Sequence, residues 1–511
     1  MHYDVFIIEP GSRIATLSKE CSQALALQQQ TQHCFRRHYL DSFDWRLFRA
    51  GYYFQADQHE NSFLLKLYRG HDQHLVSQAH TMQLPRFSKD LAHSKLADIL
   101  TPILDVRALV TQIETQTTQQ CLRQTARANK LTAELYLEEI KPVATRQSIK
   151  YLRHIPVKGY DKENKAIAKF LSQNTKLTHT RTSILQLLVT QFNIDISYRS
   201  KPGVKLNSAA RTDQQVKQLL LFFLSVMRSN EAGIIDDIDT EFTHDYRIAV
   251  RRSRTLLSQI SNIIPQRSLN SFSKHLTKLG AITTPLRDFD VMLLNFDDYR
   301  NLLPRKLRAD LDPALAFIRQ ERQVAYRQAV RYFKSKTYAG FCQRWENFLQ
   351  TPAPNSTTLD NAKQPLKKVA DKRTWKAYRK IIKQGLAITN DSPADDLHTL
   401  RKNCKKLRCL LEFFQNIYPK KKLKALINAL KQLQNNLGEF QDIHVHIDFF
   451  KQLRIDMQAQ TQLEKTTEQA IDEVIDALDK KQLTCRNKFH SHFKKFSAKT
   501  NQQLFKQLFR S

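Results

Sequence analysis

Two groups of histidine and cationic residues recur with one spacing in the C-terminal part of this sequence. The first group is His244, Arg247, Arg251 and Arg254, and the second is His398, Arg401, Lys405 and Arg408. Both follow steps of 3, 4 and 3 residues, which places the members of each group on one face of a helix. Like charges at such positions repel one another, and a bound anion removes that repulsion. The pattern therefore favours binding of phosphate or another polyanion.

The two groups are parts of a longer internal repeat. Each member of the second group lies 154 residues after its counterpart, and Lys406 follows Arg252 by the same distance. Downstream, LRDFDV contains Arg287, Asp288 and Asp290, and FQDIHV contains Gln441, Asp442 and His444 at the same offset. A further match, at an offset of 148, pairs Phe341, Trp345 and Phe348 with Phe489, Phe493 and Phe496. The repeat predicts a duplicated helical bundle.

Other interpretations of these residues remain open at this point. The basic faces could be merely solvated, or they could pair with Asp288 and Asp442, which we interpret mainly as structural residues that hold neighbouring arginines. The histidines could be hydrogen-bonded packing residues. Their reference pKa of about 6.5 would otherwise let protonation tighten anion binding at mildly acidic pH.

Charge and composition narrow the classes of function. The chain has 511 residues, 81 Lys plus Arg, 49 Asp plus Glu and a formal net charge of +32. Residues 1–200 contain 26 basic and 18 acidic residues, so most of the excess lies in residues 201–511. The 10 glycines form no phosphate-binding loop motif, and the seven cysteines form no CxxC pair. We expect reduced thiols, and neither a secretion signal nor a membrane-spanning helix.

Periodicity changes near residue 200. Residues 1–200 contain short alternating segments, such as LTAELYLEEI at 131–140, which predict antiparallel strands in an α+β domain. In that segment Leu131, Ala133, Leu135 and Leu137 share one face, whereas Thr132, Glu134, Tyr136 and Glu138 share the other. Helical periodicity dominates from residue 213 to residue 511. A Pro- and Asn-containing linker at 351–365 separates the predicted halves 213–350 and 366–511.

The His-x-x-Arg-x-x-x-Arg-Arg-x-Arg motif followed by LRDFDV resembles the CHAD domain (conserved histidine α-helical domain) over roughly residues 212–500, and LGEFQDIHV resembles the second half of that family. The resemblance implies an all-α domain of two pseudo-symmetric four-helix bundles that binds inorganic polyphosphate. Carried over by position, the candidate polyphosphate-binding residues are His244, Arg247, Arg251, Arg252, Arg254, Arg287, His398, Arg401, Lys405, Lys406, Arg408 and His444. Gln441 replaces the counterpart of Arg287, so the two halves need not bind equally.

RRHYLDSFDWRLFRAGYYF at 36–54 resembles the CYTH fold, an antiparallel β-tunnel that binds triphosphate. Active tunnel enzymes carry Glu-x-Glu-x-Lys on the first strand, whereas this strand reads YDVFIIEPG, and Asp4 and Glu9 do not fit that spacing. Glu134 and Glu138 alone rarely make a metal site. We therefore predict a degenerate, non-catalytic domain over residues 1–200 with no metal and no cofactor. Its candidate phosphate contacts are Arg36, Arg37, Arg46, Arg49, Lys66, Arg107, Arg153 and Lys158.

The leading hypothesis is non-catalytic binding of inorganic polyphosphate or another polyanion. Two alternatives are a divalent-metal triphosphatase in residues 1–200 and a nucleic-acid binder, although the basic groups lack interleaved aromatic residues for stacking on bases. Weak nonspecific nucleic-acid binding is expected from charge alone. The basic amphipathic segment 420–436 could instead lie on a membrane, but its leucines are more simply a bundle seam, and no membrane partner is predicted. The family resemblance implies a cytoplasmic protein that can associate with polyphosphate granules.

Overall fold

The structure, a computed structural model, describes residues 4–70, 74–92, 94–125, 130–389, 391–460 and 463–510. The chain divides into two compact units, Met1–Tyr198 and Arg199–Ser511. The first unit contains every strand of the sheet, and the second is helical. The predicted fold class, an α+β region followed by an all-α region, is confirmed.

The first unit is built on one antiparallel sheet. Its strands are β1 (Asp4–Ile8), β2 (Gln28–Gln29), β3 (His33–Asp41), β4 (Tyr52–His59), β5 (Ser62–Arg69), β6 (His74–Thr81), β7 (Val110–Thr125), β8 (Leu131–Pro142), β9 (Ile149–Ile155) and β10 (Leu177–Thr180). They are ordered β10-β1-β9-β8-β7-β3-β4-β5-β6, and β2 pairs with β7. The helices are α1 (Ile14–Leu25), α2 (Arg46–Arg49), α3 (Lys95–Leu104), α4 (Asp161–Gln173) and α5 (Ile184–Gln191).

Strand β8 shows how alternation builds the two faces of this sheet. Leu135 and Leu137 pack with Leu17 of α1 and Leu171 of α4 in one apolar cluster. Glu134 and Glu138 point to the opposite face, since successive side chains of a strand alternate. The alternation predicted for 131–140 is therefore what separates an apolar layer beneath the helices from a polar layer on the other side.

Contacts between distant strands show that the sheet curls around its polar face. Arg153 Nη1 of β9 donates a hydrogen bond to Tyr68 Oη of β5 at 3.3 Å, although five neighbour steps separate these strands in the sheet order. Arg37 Nη1 of β3 likewise donates to Tyr151 Oη of β9 at 3.1 Å. A flat sheet could not bring these residues together, because neighbouring strands lie about 4.8 Å apart. The polar face is thus the inside of a tunnel-like sheet.

The second unit consists of helices α6 to α17. They are α6 (Thr212–Ile235), α7 (Thr240–Gln259), α8 (Gln266–Leu294), α9 (Phe296–Leu302), α10 (Asp312–Phe333), α11 (Lys336–Gln350), α12 (Leu366–Ala387), α13 (Ala394–Phe413), α14 (Lys420–Gln460), α15 (Lys465–Asn487), α16 (Phe489–Phe496) and α17 (Lys499–Phe509). Each half of the repeat contributes four helices of 20 or more residues, namely α6, α7, α8 and α10, then α12, α13, α14 and α15.

The repeat is visible in the helix bounds. Helices α7 and α13 both have 20 residues, and α13 begins and ends 154 residues after α7. Helices α6 and α12 begin at Thr212 and Leu366, again 154 apart. Because the offset found between side chains is also the offset between helix ends, the two halves repeat a structure as well as a motif.

An apolar core joins the halves at one end of the unit. Phe296, Phe317 and Ile318 of the first half pack in one cluster with Ile447 and Val474 of the second. In α14 the predicted seam residues Leu423, Leu426, Leu430 and Leu433 are buried, and Ile427 is half-buried. This helix therefore uses its apolar face inside the unit. Within the described ranges, the structure contains no helix with the length and apolarity needed to cross a membrane.

Candidate anion-binding site

A cavity of about 940 Å³ lies where α7 and α8 of the first half meet α13 and α14 of the second. We call it the shared cavity. Its basic lining residues are His244, Arg247, Arg251, Arg254, Arg287, Arg401 and Lys405, with His446 beside them. Two carboxylates, Asp288 and Asp442, also line it. Six cations against two carboxylates leave a formal excess of four positive charges, which is the electrostatic requirement for a polyanion site.

Local sequence fixes the two helices that carry the basic residues. Helix α7 is capped by Asp239, whose side chain accepts hydrogen bonds from the backbone N–H of Glu241 at 2.9 Å and of Phe242 at 3.3 Å. Helix α13 starts after Pro393 and carries Asp395 and Asp396 in its first turn, where the helix dipole favours negative charge. Each helix thereby starts at a defined residue, and both helices contribute basic residues to the same cavity.

Arg247 is held in place by α8. Its Nη1 donates hydrogen bonds to Gly280 O at 3.0 Å, Thr283 Oγ1 at 3.1 Å and Thr284 Oγ1 at 2.8 Å. Burial lowers the pKa of Arg247; Asp288 opposes the shift, and Arg251 and Arg287 add to it. A side-chain carbon at Gly280 would lie 3.3 Å from Arg254 Nη1, so the missing Cβ also gives Arg254 room beside α8. Arg247 is accordingly a preorganised cation.

Three lining cations have no ion-pair or hydrogen-bond partner among the described residues. Arg251, Arg254 and Lys405 form neither an ion pair nor a hydrogen bond with any residue that the structure describes. Burial lowers the pKa of Arg251, and the charges of Arg252 in the same half and of Arg401 and Arg408 in the other half add to this shift. Positive charges from both halves are therefore brought together, and none of these three cations forms an ion pair with a carboxylate of the described residues.

Lys405 is the most strongly perturbed of these cations. Burial, followed by the nearby charges of Arg401 and Arg251, lowers its pKa from 10.5 to about 8, while Asp442 opposes the shift. A bound anion would reverse the unfavourable effect of these neighbours. The protonation of Lys405 is therefore expected to be coupled to anion binding.

The two carboxylates that line the shared cavity have different surroundings. Asp442 Oδ1 accepts a hydrogen bond from Arg401 Nη2 at 2.7 Å. Burial raises the pKa of Asp288, against the opposing charges of Arg247 and Arg287. Asp290, from the same LRDFDV motif, points away from the shared cavity and binds Arg322 Nε at 2.7 Å, so its role is to attach α8 to α10.

Five predicted residues lie outside the shared cavity: Arg252, His398, Lys406, Arg408 and His444. Arg252 and Arg408 bind the same carboxylate, that of Glu412, at 3.1 Å and 2.6 Å. His398 Nδ1 contacts Gln441 Oε1, and His444 Nε2 lies 3.6 Å from Asp448 Oδ2. Lys406 lines a separate cavity. The repeat therefore does not place equivalent residues in equivalent surroundings.

Sequence reasoning missed several polar lining residues. His446 lines the cavity in place of the predicted His444, and its Nδ1 is 3.0 Å from Tyr299 Oη. Burial lowers the pKa of His446, and Asp442 opposes this. Helical spacing could have predicted His446, because it follows the lining residue Asp442 by four positions and so shares its helix face. His444 follows Asp442 by only two positions and lies on a different face.

In the first unit, Arg37, Lys66 and Arg153 belong to a network of charges inside the curled sheet. Arg37 binds Asp57 at 2.5 Å and Glu138 at 2.7 Å. Lys66 binds Asp57 at 2.9 Å, and Arg153 binds Glu138 at 2.5 Å. Burial alone would raise the pKa of Glu138, but Arg153 and Arg37 outweigh it and the pKa is lowered.

This network does not fit a divalent metal. Both central carboxylates already bind guanidinium or ammonium groups, and the described residues contain no group of three or more His, Cys, Asp or Glu placed to hold a metal ion. Glu134 shares a face with Glu138, but its Oε1 accepts a hydrogen bond from Arg123 at 2.7 Å. Asp57 and Glu138 therefore act as counter-ions of the buried Arg37 and Arg153.

The other predicted residues of the first unit are dispersed. Arg36 pairs with Glu114 at 3.2 Å on the surface. Arg46 binds Asp44 at 3.1 Å and the carbonyl of Leu104 at 2.7 Å. Arg49 donates to the carbonyls of Ile196 and Tyr198, buried Arg107 lies 3.7 Å from Asp44, and Lys158 is exposed in a turn. These five residues do not converge on one site.

Comparison with known proteins identifies one family. Residues 218–451 match the family model of the CHAD domain, so the resemblance predicted from the repeated basic motif is confirmed for this segment. The crystal structure of the CHAD domain from the plant Ricinus communis is similar at 21% identity and a TM-score of 0.48, covering 58% of this chain and 95% of that one. No curated protein sequence matches the chain.

Two further solved structures match the N-terminal region. A putative adenylate cyclase from Bacillus halodurans is 13% identical with a TM-score of 0.26, covering 38% of this chain and 99% of that one. A putative adenylyl cyclase from Hippeastrum, described as having a dominant triphosphatase activity, is 8% identical with a TM-score of 0.28, covering 39% of this chain and 100% of that one.

Proposed function

We propose that the helical unit binds inorganic polyphosphate in the shared cavity and does not hydrolyse it. The observation that carries the proposal is the convergence of Arg251, Arg254 and Lys405, from both halves, with no ion pair to any of them among the described residues. The CHAD match supports a polyphosphate-related function in general. Binding of this kind would also bring the protein to polyphosphate granules.

The lining residues contribute to anion binding in different ways. Arg247, fixed by three hydrogen bonds to α8, offers its remaining N–H groups in a set direction, as a guanidinium does for phosphate oxygens. Lys405 supplies a compact charge that can follow a flexible chain. Phe449 is the one phenylalanine among the lining residues, against six cations. This composition suits a phosphate chain without bases better than a nucleic acid, whose bases need stacking surfaces.

For the first unit we propose a structural, non-catalytic role. The support is that Asp57 and Glu138 are bonded to Arg37, Lys66 and Arg153 instead of being available for a metal. The alternative, a metal-dependent triphosphatase, is tested by incubating the full chain with triphosphate and Mg²⁺ or Mn²⁺. We expect no phosphate release above buffer. Release that disappears in Glu138→Gln would contradict the proposal.

The binding proposal is tested with Arg251→Ala, Arg254→Ala and Lys405→Ala combined in the full chain. The matched control combines Lys306→Ala, Lys334→Ala and Lys336→Ala, which remove the same charge from exposed positions away from the cavity. We expect the first variant to lose retention on immobilised polyphosphate while keeping its circular dichroism spectrum, and the control to retain it. Equal retention by both variants would contradict the proposal.

Competition separates polyphosphate from nucleic acid. Short single-stranded DNA is added at the same total phosphate concentration as the bound polyphosphate. We expect little displacement, and less binding of both as salt rises because counterions are released on binding. Full displacement by the DNA would favour the nucleic-acid alternative.

A further inference from the structure

A second basic cavity, of about 230 Å³, lies between the end of α7 and the facing sides of α12 and α13. Four cations line it: Arg373, Lys376, Lys380 and Lys406. The lining includes neither a carboxylate nor an aromatic ring among the described residues. Arg373 is positioned by a hydrogen bond from its Nη2 to Ser261 Oγ. None of these four cations lines the shared cavity.

The repeat shows why this cavity is positively charged. At one place in the unit, Arg252 of α7 pairs with Glu412 of α13 at 3.1 Å. Moving each residue by the offset of 154 gives the equivalent place, where Lys406 of α13 faces Ser258 of α7. Serine thus stands where the pseudo-symmetric position has a carboxylate. Lys406 forms no ion pair with a described residue, whereas its counterpart Arg252 is neutralised.

The repeat also shows why the cavity is open. Phe223 of α6 and Phe413 of α13 pack with their ring centroids 5.5 Å apart. At the offset of 154 their equivalents are Ala377 of α12 and Gln259 of α7, and both line the second cavity. Matching buried positions support this register for α6 and α12, as with Leu224 and Tyr378. An aromatic pair that fills one place is therefore absent from the other.

We propose that the second cavity is a binding site for a short linear inorganic oligophosphate, of the tripolyphosphate class. Its four cations match a chain that carries several charges within a few ångströms, and its volume of about 230 Å³ suits a short chain. The lack of a ring among its lining residues favours a phosphate chain over a nucleotide, whose base would seek a stacking surface. Helix α13 separates the two sites, because Lys405 lines the shared cavity and Lys406 lines the second.

This inference does not depend on the proposed function of the shared cavity, and the experiment keeps the two apart. Tripolyphosphate is titrated by calorimetry into the full chain carrying Arg251→Ala, Arg254→Ala and Lys405→Ala, which removes the three cations of the shared cavity that have no ion pair with a described residue. Two changes are then added separately in this background. Lys376→Ala with Lys380→Ala removes two exposed cations, and Ser258→Glu restores at an exposed position the carboxylate found at Glu412.

We expect tripolyphosphate binding to persist in the background variant and to weaken by about tenfold with either addition, since each removes or neutralises charge-assisted contacts. The control addition, Lys334→Ala with Lys336→Ala, should leave it unchanged. The proposal is overturned if the background does not bind tripolyphosphate, if neither addition weakens binding, or if ATP binds more tightly than tripolyphosphate. Thermal unfolding curves show whether each variant is folded. Because the two additions change different residues, one of them still tests the proposal if the other does not fold.

Discussion

Arg252 on α7 and Glu412 on α13 form an ion pair between the two halves of the helical unit, with Nη2 3.1 Å from Oε2. Arg408 Nε lies 2.6 Å from the other oxygen of the same carboxylate. One acidic residue therefore serves two arginines that the repeated motif groups with the candidate ligands. Arg251, one position before Arg252, has no such partner among the described residues.

This difference predicts unequal effects for two similar substitutions. We expect Arg251→Ala to weaken polyphosphate binding by about tenfold, because it removes an uncompensated cation. We expect Arg408→Ala to weaken it by about threefold or less, because its charge is already shared with Glu412. Fluorescence titration with polyphosphate at a fixed salt concentration measures both. Losses of equal size would show that the contact with Glu412 does not determine how much an arginine contributes to polyphosphate binding.

Lys405 predicts how binding depends on pH. Its pKa is lowered to about 8, so it is charged below that pH and loses its proton above it, while a bound polyanion would favour the protonated form. The groups that act on it are Arg401, Arg251, Asp442 and the thiol of Cys409, whose own pKa is raised by burial. We expect affinity to fall by about tenfold between about pH 7 and 9. Lys405→Arg should nearly abolish this fall. If the affinity of that variant still falls with pH as in the natural chain, another group is responsible for the pH dependence.

The sequence predicted the first basic face better than the second. Steps of 3 and 4 residues placed His244, Arg247, Arg251 and Arg254 on one helix face, and all four line the shared cavity. In the second half, Arg401 and Lys405 line it, but Arg408 does not. Glu412, which holds Arg408, lies outside the repeated motif. Its contact with Arg252 depends on how α13 crosses α7, and periodicity within one helix carries no information about that crossing.

Glu138 predicts the stability of the first unit. It is fully buried between Arg37 and Arg153, so Glu138→Gln leaves both guanidinium groups short of a counter-charge. We expect a loss of about 3–5 kcal/mol in the free energy of unfolding, seen as a lower melting temperature. Arg36→Ala, which breaks the exposed pair with Glu114, should cost less than about 1 kcal/mol. Comparable losses would contradict a buried structural network.

Because the pKa of Glu138 is lowered in the folded chain, its contribution also has a defined pH range. It is present above the unfolded pKa of about 4.3 and is lost as the pH falls toward the folded value. The stability difference between the natural chain and Glu138→Gln should therefore shrink below about pH 4. A difference that stays constant there would count against the charge as its source.

Two helical glycines predict opposite effects of one substitution. A Cβ at Gly385 of α12 would lie 1.9 Å from the ring of Phe493, whereas a Cβ at Gly438 of α14 would meet no described atom within 4 Å. We expect Gly385→Ala to destabilise by about 1–3 kcal/mol through overpacking. Gly438→Ala should stabilise by about 1 kcal/mol, since alanine favours the helix. Chemical denaturation of both variants measures the sign of each change in the free energy of unfolding. Stabilisation by Gly385→Ala would show that α12 and α16 can move apart to accommodate the added methyl group.

In the first unit, the local pattern was predictable and the long-range partners were not. Alternation placed Glu134 and Glu138 on one face of β8. Their possible use as metal ligands depended on what faced them, and the structure places Arg37 of β3 and Arg153 of β9 against Glu138. Those contacts exist because the sheet curls, and curvature of a whole sheet is not encoded in the alternation of any single strand.

The equal bounds of α7 and α13 have a consequence for how the two halves can diverge. In a homodimer, every substitution at a twofold interface appears twice and must suit both places at once. Here both copies are covalently joined in one chain, so Ser258 and Glu412 can change independently although they are equivalent in the repeat. One chain can thus keep the Arg252–Glu412 ion pair between its halves at one place and have an open cavity at the equivalent place. A symmetric assembly of identical subunits cannot differ in this way.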